Sequence, residues 1–176
     1  MNESDHELIG LRKEKDLFFR TELDSPIPPE QRAAFKGLNY YPPEKGYRVS
    51  GQLERFDKPE PVLIATSTGS RQSYLKYGTL KFEVKGRRLQ LIVYKSAEDP
   101  FARPLFIPFS DETSGSETYG AGRYLDLEEQ GGDDYDLDFN FAYNPYCAYN
   151  DRYTCPIPPR ENRLPIRITA GEKKYK

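Results

Sequence analysis

Apolar positions in the first twenty residues recur at helical spacing. Leu8, Leu11, Lys15 and Phe18 fall on one stripe, flanked by Ile9, Leu17 and Phe19, which predicts an amphipathic helix over residues 3–20. Ser4 with Glu7 three positions on fits a capping box. The run Asp24-Ser25-Pro26-Ile27-Pro28-Pro29 ends that helix. A second, shorter helix is expected from Ser25–Glu30 through Phe35, stopped by Gly37. From Tyr47 onward the period changes to two. Tyr47, Val49 and Leu53 alternate with Arg48, Ser50, Gln52 and Glu54, and Leu80, Phe82 and Val84 alternate with Thr79, Lys81 and Glu83. Lys85-Gly86-Arg87 predicts a tight turn into Leu89, Leu91 and Val93. Further strands are expected at 61–66, 105–109, 119–127, 135–143 and 165–169. About eight strands at hairpin spacing predict a mainly β fold, an antiparallel meander barrel or strongly bent sandwich that curls to remove its edges. In this reading residues 1–37 form an N-terminal helical arm. Residues 38–176 form the barrel-like domain, with a Cys/Pro-rich strap near its C-terminus.

The chain has 176 residues, enough for one domain with a core that needs neither metal nor disulfide. Aliphatic residues are scarce, but 14 Tyr and 10 Phe compensate, so the core is expected to be aromatic. Basic and acidic residues number 26 and 28, and no basic block stands out, which argues against a nucleic-acid partner. No apolar run approaches the roughly 20 residues of a membrane span. The charged N-terminus lacks the apolar centre of a secretion signal, and a cytoplasmic location is expected. In a reducing compartment the two cysteines, Cys147 and Cys155, are thiols by default.

From residue 106 to residue 171 the chain carries a recognisable series of motifs. They are IPFSDETSGSETYGAGRYLDL with its GRY strand, then DFN, NPYCAY, the closing run CPIPPRENRL, and a terminal AGEK. In these the chain resembles the prokaryotic family catalogued as domain of unknown function 1684. The upstream helix and the KGRRLQL hairpin fit that family more loosely, and this chain has no Trp. The resemblance implies no activity and supplies no catalytic residue, so the candidate site rests on chemistry.

The segment 138–162 is dense in Pro, Tyr and Asn, too broken for a long helix and too aromatic to stay in water. On the strand before it, Tyr119, Ala121, Arg123 and Leu125 share a face, and Leu125 with Leu127 suggests that this face is internal. An inward guanidinium needs a partner, with Asp111, Glu117 and Asp138 as candidates. Arg123 then either grips an anionic or carbonyl group in a barrel mouth or closes an internal ion pair. Gly120 and Gly122 leave room for a ligand or another backbone. Asp138 and Asn140, opposite Tyr135, Phe139, Phe141 and Tyr143, either meet water or line a polar pocket with Asn144 and Arg123.

The spacing C-x7-C is not a zinc knuckle, and the sole histidine, His6, lies on the predicted helix. No metal site is expected, and no cofactor can be named. A lone remote His also nearly excludes Ser-His-Asp and Cys-His mechanisms. The carboxylates Asp111, Glu112, Glu117 and Asp138 keep acid–base chemistry open. Pro156, Pro158 and Pro159 fix an extended strap that Glu161 and Asn162 can pin to exposed backbone.

The function this supports is a cytoplasmic small-molecule-binding barrel. Its pocket is formed by Tyr119, Arg123, Asp138, Asn140, Asn144, Tyr146 and Tyr149, and its ligand is small and anionic or carbonyl-bearing. The alternatives are an enzyme with Asp138 or Asp111 as base and Arg123 as stabiliser, or a protein-interaction module using the aromatic strap.

Overall fold

The computed structural model describes residues 3–99, 101 and 104–176. The amphipathic stripe forms α1 (Glu3–Thr21), which buries Leu8 and Phe19. Ser4 lies within the helix rather than at its cap. Ser25 closes the far end, its hydroxyl donating to the Phe19 carbonyl at 2.5 Å while its oxygen accepts the Ile27 amide. The expected second helix shrinks to one turn, α2 (Pro29–Arg32). Ile27 and Pro28 both precede prolines, which forces them out of helical backbone, and a helix can start only at Pro29.

Among the described residues six strands form one sheet: β1 (Arg48–Ala65), β2 (Arg71–Val84), β3 (Arg87–Ser96), β4 (Pro104–Phe109), β5 (Arg123–Glu128) and β6 (Asp134–Asp138). Their order is β5-β4-β3-β2-β1-β6 and all pairings are antiparallel. The β2–β3 hairpin turns on Lys85 and Gly86, both at positive φ (48° and 76°), as a two-residue turn of matching twist requires. The sheet nearly closes into a barrel. Just beyond β6, Tyr143 exchanges both backbone hydrogen bonds with Tyr124 of β5, at 2.9 and 3.0 Å, and so links the two sheet edges.

Six strands replace the expected eight because two expected strands are not separate elements, and a third is cut short. Residues 61–66 do not start a new strand. They continue β1 past a bulge between Arg55 and Glu60, where Pro59 lacks the donor a ladder needs. Residues 139–141 leave β6 in a tight turn whose start is capped by Asp138, which accepts the Asn140 amide at 2.9 Å. Residues 165–169 join no strand: side chains of Tyr47, Asp111 and Arg123 take backbone groups of residues 167–169, and the Ile166 carbonyl accepts the Glu112 amide.

The interior is filled. Leu53, Leu80, Val93, Ile107, Phe109 and Phe139 pack with Leu164, Ile168 and Ala170 from the C-terminal run. Each fully buried side chain of this kind contributes roughly 1.5–3 kcal/mol. A second, smaller cluster lies outside the sheet, where Phe19 of α1 meets Ile27, Phe35 and Tyr149. It docks α1 on the segment that follows β6.

The seam between β3 and β4 is sealed by a side chain. Among the described residues, strands β3 and β4 pair only at Tyr94 and Phe106. Beside that pair Asn162 acts as a strand fragment. Its Oδ1 accepts the Ile92 amide at 2.7 Å, and its Nδ2 donates to the carbonyls of Ile92 (2.9 Å) and Pro108 (2.7 Å). Asn162 thus pins the strap to backbone, as its sequence suggested. Glu161 instead accepts from Tyr94 and Lys76.

Candidate functional site

The seven residues read as a pocket from sequence do not converge. The fold distributes them over three places, two of which are joined by a residue that sequence alone does not single out, Glu172.

The first place is Arg123, which is fully buried (0% exposed). Its guanidinium donates to Asp111 Oδ2 and to the Ile168 carbonyl, both at 2.9 Å, to the Glu172 carbonyl at 3.1 Å, and to the Ala170 carbonyl. These carbonyls belong to alternate residues of an extended run, so one side chain stands where a strand would. Asp111 completes the pattern by accepting the Thr113 amide at 2.6 Å and the Ile168 amide at 3.4 Å. Of the two readings left open, Arg123 fits the internal ion pair. Its terminal nitrogens are spent on protein groups and it does not face an opening. Gly122 permits this packing: it sits at φ 112°, and a β-carbon there would collide with the Phe109 carbonyl oxygen and the Pro158 ring.

The second place lies between α1 and residues 140–143. Asp138 pairs with Arg48 at 3.0 Å and fixes Asn140. The turn at 139–141 reverses the expected alternation, so that Asn140 is buried and Phe141 is exposed. Asn140 then clamps the backbone of Glu44 through both ends of its amide. Glu172, almost fully buried, accepts the Asn144 amide at 2.7 Å, the Tyr149 hydroxyl at 2.6 Å and Lys15 Nζ at 2.6 Å. Asn144 and Tyr149 are therefore supports of Glu172.

Beside this cluster a cleft of about 80 Å³ opens, walled by Leu8, Leu11, Phe141 and Ala142 and faced by Arg12, Tyr40 and the Lys15–Glu172 ion pair. Arg12 donates to the carbonyls of Tyr41 (2.8 Å) and Asn140 (3.1 Å), and its guanidinium lies over the Tyr40 ring at 4.4 Å. Its Nε is buried without a hydrogen-bond partner, as is the Tyr40 hydroxyl. Burial pulls the Arg12 guanidinium down from its ordinary value, with Tyr40 and Glu172 opposing that shift. Burial pushes the Tyr40 hydroxyl up, so it remains a protonated donor.

The third place holds both cysteines. Tyr119 OH lies 3.5 Å from Cys147 Sγ, and Cys155 Sγ accepts the Cys147 amide at 3.4 Å. Tyr146 sits beside them with its ring edge-on to Phe19 and Tyr153.

Arg12, Lys15, Tyr40 and Glu172 are not among the site residues expected from sequence. Two features of the sequence touch two of them, though neither marks a site by itself. Lys15 occupies the apolar stripe of α1, where a solvated lysine has no place. Glu172 belongs to the AGEK motif.

The family model described as "Protein of unknown function (DUF1684)" matches residues 33–173. Among solved structures, the chain is similar to the uncharacterized protein from gene locus rrnAC0354 of Haloarcula marismortui, determined by solution NMR. The two are 42% identical over 96% of this chain and 92% of that one, with a TM-score of 0.74. No curated protein matches.

Proposed function

For a chain that belongs to the DUF1684 family, we propose a cytoplasmic small-molecule binder whose site is the cleft under α1 rather than the barrel interior. The observation that carries this is the pair of unsatisfied polar atoms, Arg12 Nε and Tyr40 OH, on two residues facing one cleft. Buried polar groups are almost always hydrogen-bonded, because leaving one unpaired costs about 1–3 kcal/mol. Both atoms can donate, so the matching occupant offers an acceptor. Arg12 hydrogen-bonds to carbonyls and to no carboxylate; Glu172 and Asp138 act on its charge without an ion pair to it. A carboxylate or a strongly polarised carbonyl suits it best. Leu8, Leu11 and Phe141 supply an apolar wall for a short aliphatic body.

The cleft is far below the roughly 300–1,000 Å³ of sites for drug-sized ligands. The occupant is therefore a molecule of few heavy atoms, or the carboxylate tip of a longer one. Affinity for such a fragment is expected near 1 mM, about −4 kcal/mol.

The test is an NMR titration with a homologous series from acetate to hexanoate. A saturable shift of the Arg12 Nε–H resonance is expected, with the best fit at intermediate length, and it should vanish in Arg12→Met. An Nε–H resonance that stays put across the whole series would end this reading.

A further inference from the structure

The two cysteines lie apart from the cleft and carry a chemistry of their own. Cys147 sits in the turn Tyr146–Ala148, directly after Pro145. Cys155 opens the strap, and Ser67, next to the end of β1, holds it on both sides. The Ser67 amide donates to the Cys155 carbonyl at 2.9 Å, and the Cys155 amide donates to Ser67 Oγ at 3.1 Å. This fixed strap brings Cys155 Sγ to 3.4 Å from the Cys147 amide, and Tyr119 OH flanks Cys147 Sγ from the other side. Both residues are largely buried but retain a little exposure, 9% and 8%. Both are free thiols. Among the described residues, no group of three or more His, Cys, Asp or Glu could hold a metal.

We propose that Cys147 is a peroxide-reactive thiol and that Cys155 is its resolving partner, so that a hydroperoxide converts the pair into a 147–155 disulfide. The Cys147 thiolate attacks the terminal oxygen of the hydroperoxide. An S–O bond forms, the O–O bond breaks, and the leaving alkoxide takes a proton from solvent. Cys147 is then a sulfenic acid. Cys155 gives its proton to solvent and attacks the Cys147 sulfur, an S–S bond forms, and hydroxide leaves to be protonated to water. In sum, two thiols and one hydroperoxide give one disulfide, one alcohol and one water. The sulfur pair loses two electrons and the peroxide bond gains them.

The division of roles follows from the surroundings. The hydrogen bond with Cys155 draws the Cys147 thiol down to about 6, against the opposing effect of burial and with help from Tyr119 and Ser67. The same hydrogen bond, reinforced by burial, pushes Cys155 up. At neutral pH the attacking sulfur is thus ionised while the resolving sulfur keeps its proton. The other titratable groups facing the pair are Tyr119, Tyr124 and Tyr74, with Asp151 near Tyr119. Burial raises all three phenols, so they remain neutral over the range in which Cys147 ionises.

The experiment treats the reduced full chain with hydrogen peroxide and follows intact mass. The wild-type protein is expected to lose two hydrogens, and peptide mapping should join residues 147 and 155. Alkylation of Cys147 by iodoacetamide should show an inflection near pH 6. In Cys155→Ser a dimedone adduct should accumulate at Cys147, whereas Cys147→Ser should consume peroxide at least about tenfold more slowly than wild type. Gain of oxygen without a disulfide in the wild-type chain overturns the proposal. So does a Cys147→Ser chain that reacts as fast as wild type. The wild-type arm needs no variant to fold, so the native protein alone can support the proposal or overturn it.

Discussion

Arg123 and Arg12 do similar jobs with opposite outcomes. Each guanidinium gathers main-chain carbonyls from segments distant in sequence. Arg123 holds the carbonyls of residues 168, 170 and 172 and adds the carboxylate of Asp111 inside a filled interior. Arg12 holds the carbonyls of Tyr41 and Asn140, adds no carboxylate, and faces a cleft. A buried charge with a bonded counter-ion is structural. A half-buried charge with no carboxylate bonded to it, facing a cleft, is what the proposed site would use. The contrast teaches that burial alone does not mark a binding arginine; the disposition of its counter-charge does.

The sharpest way to break this contrast is to remove each guanidinium. Arg123→Met leaves the Asp111 carboxylate buried and three carbonyls unpaired, and should cost about 3–5 kcal/mol in urea denaturation. Arg12→Met should cost about 1 kcal/mol and abolish carboxylate binding. Equal losses in the two variants would erase the distinction. Next in size is Asn162→Leu, which deprives three backbone groups of partners at the β3–β4 seam. A loss of about 2–3 kcal/mol is expected, with faster amide exchange at Ile92 as the local signature.

Tyr40→Phe sharpens the comparison from the other side. Its hydroxyl makes no well-formed hydrogen bond and meets only the nearby Glu172 carboxylate, so stability should stay within about 0.5 kcal/mol of wild type or rise, while carboxylate affinity falls about fivefold. The smallest effect concerns Glu161. Burial opposes its ionisation, but hydrogen bonds from Lys76 and Tyr94 win and hold its carboxyl below the usual carboxylate range. A depressed carboxylate contributes stability above its unfolded pKa and loses it as pH falls through the folded one. Glu161→Gln should therefore flatten the stability profile below about pH 4.5 by a few tenths of a kcal/mol, because the pair is partly exposed.

How much of this was legible in the sequence depended on the range of the interaction. The helix at 3–20 and the Lys85-Gly86 hairpin were readable, since period and turn chemistry are local. So was the class, a curled antiparallel sheet. The strand count was not. Residues 165–169 alternate like a strand, but periodicity cannot reveal that a guanidinium and a carboxylate take the place of the neighbouring chain. Asn140 and Phe141 exchanged faces because Asp138 caps a turn, which a period-two pattern runs straight through. Asn140, Asn144 and Tyr149 stood out by residue type, but their link is to Glu172 and the backbone of Glu44 rather than to Arg123. The cleft itself joins residues 12, 15, 40 and 172, a span no local pattern encodes, although one of them, Lys15, lies in the apolar stripe of α1.

The run at 168–172 also bears on biosynthesis. Every group that grips it (Tyr47, Asp111, Arg123, Asn144) precedes it in the chain. While the ribosome is still adding residue 150, Arg123 and Asp111 have no carbonyls or amides of that run to bind. The nascent chain must therefore hold its strands around an unfinished, polar centre. Completion of the fold waits for the arrival of a few late residues, and the last of them to dock, Glu172, brings the Lys15 partner that fastens the very first helix.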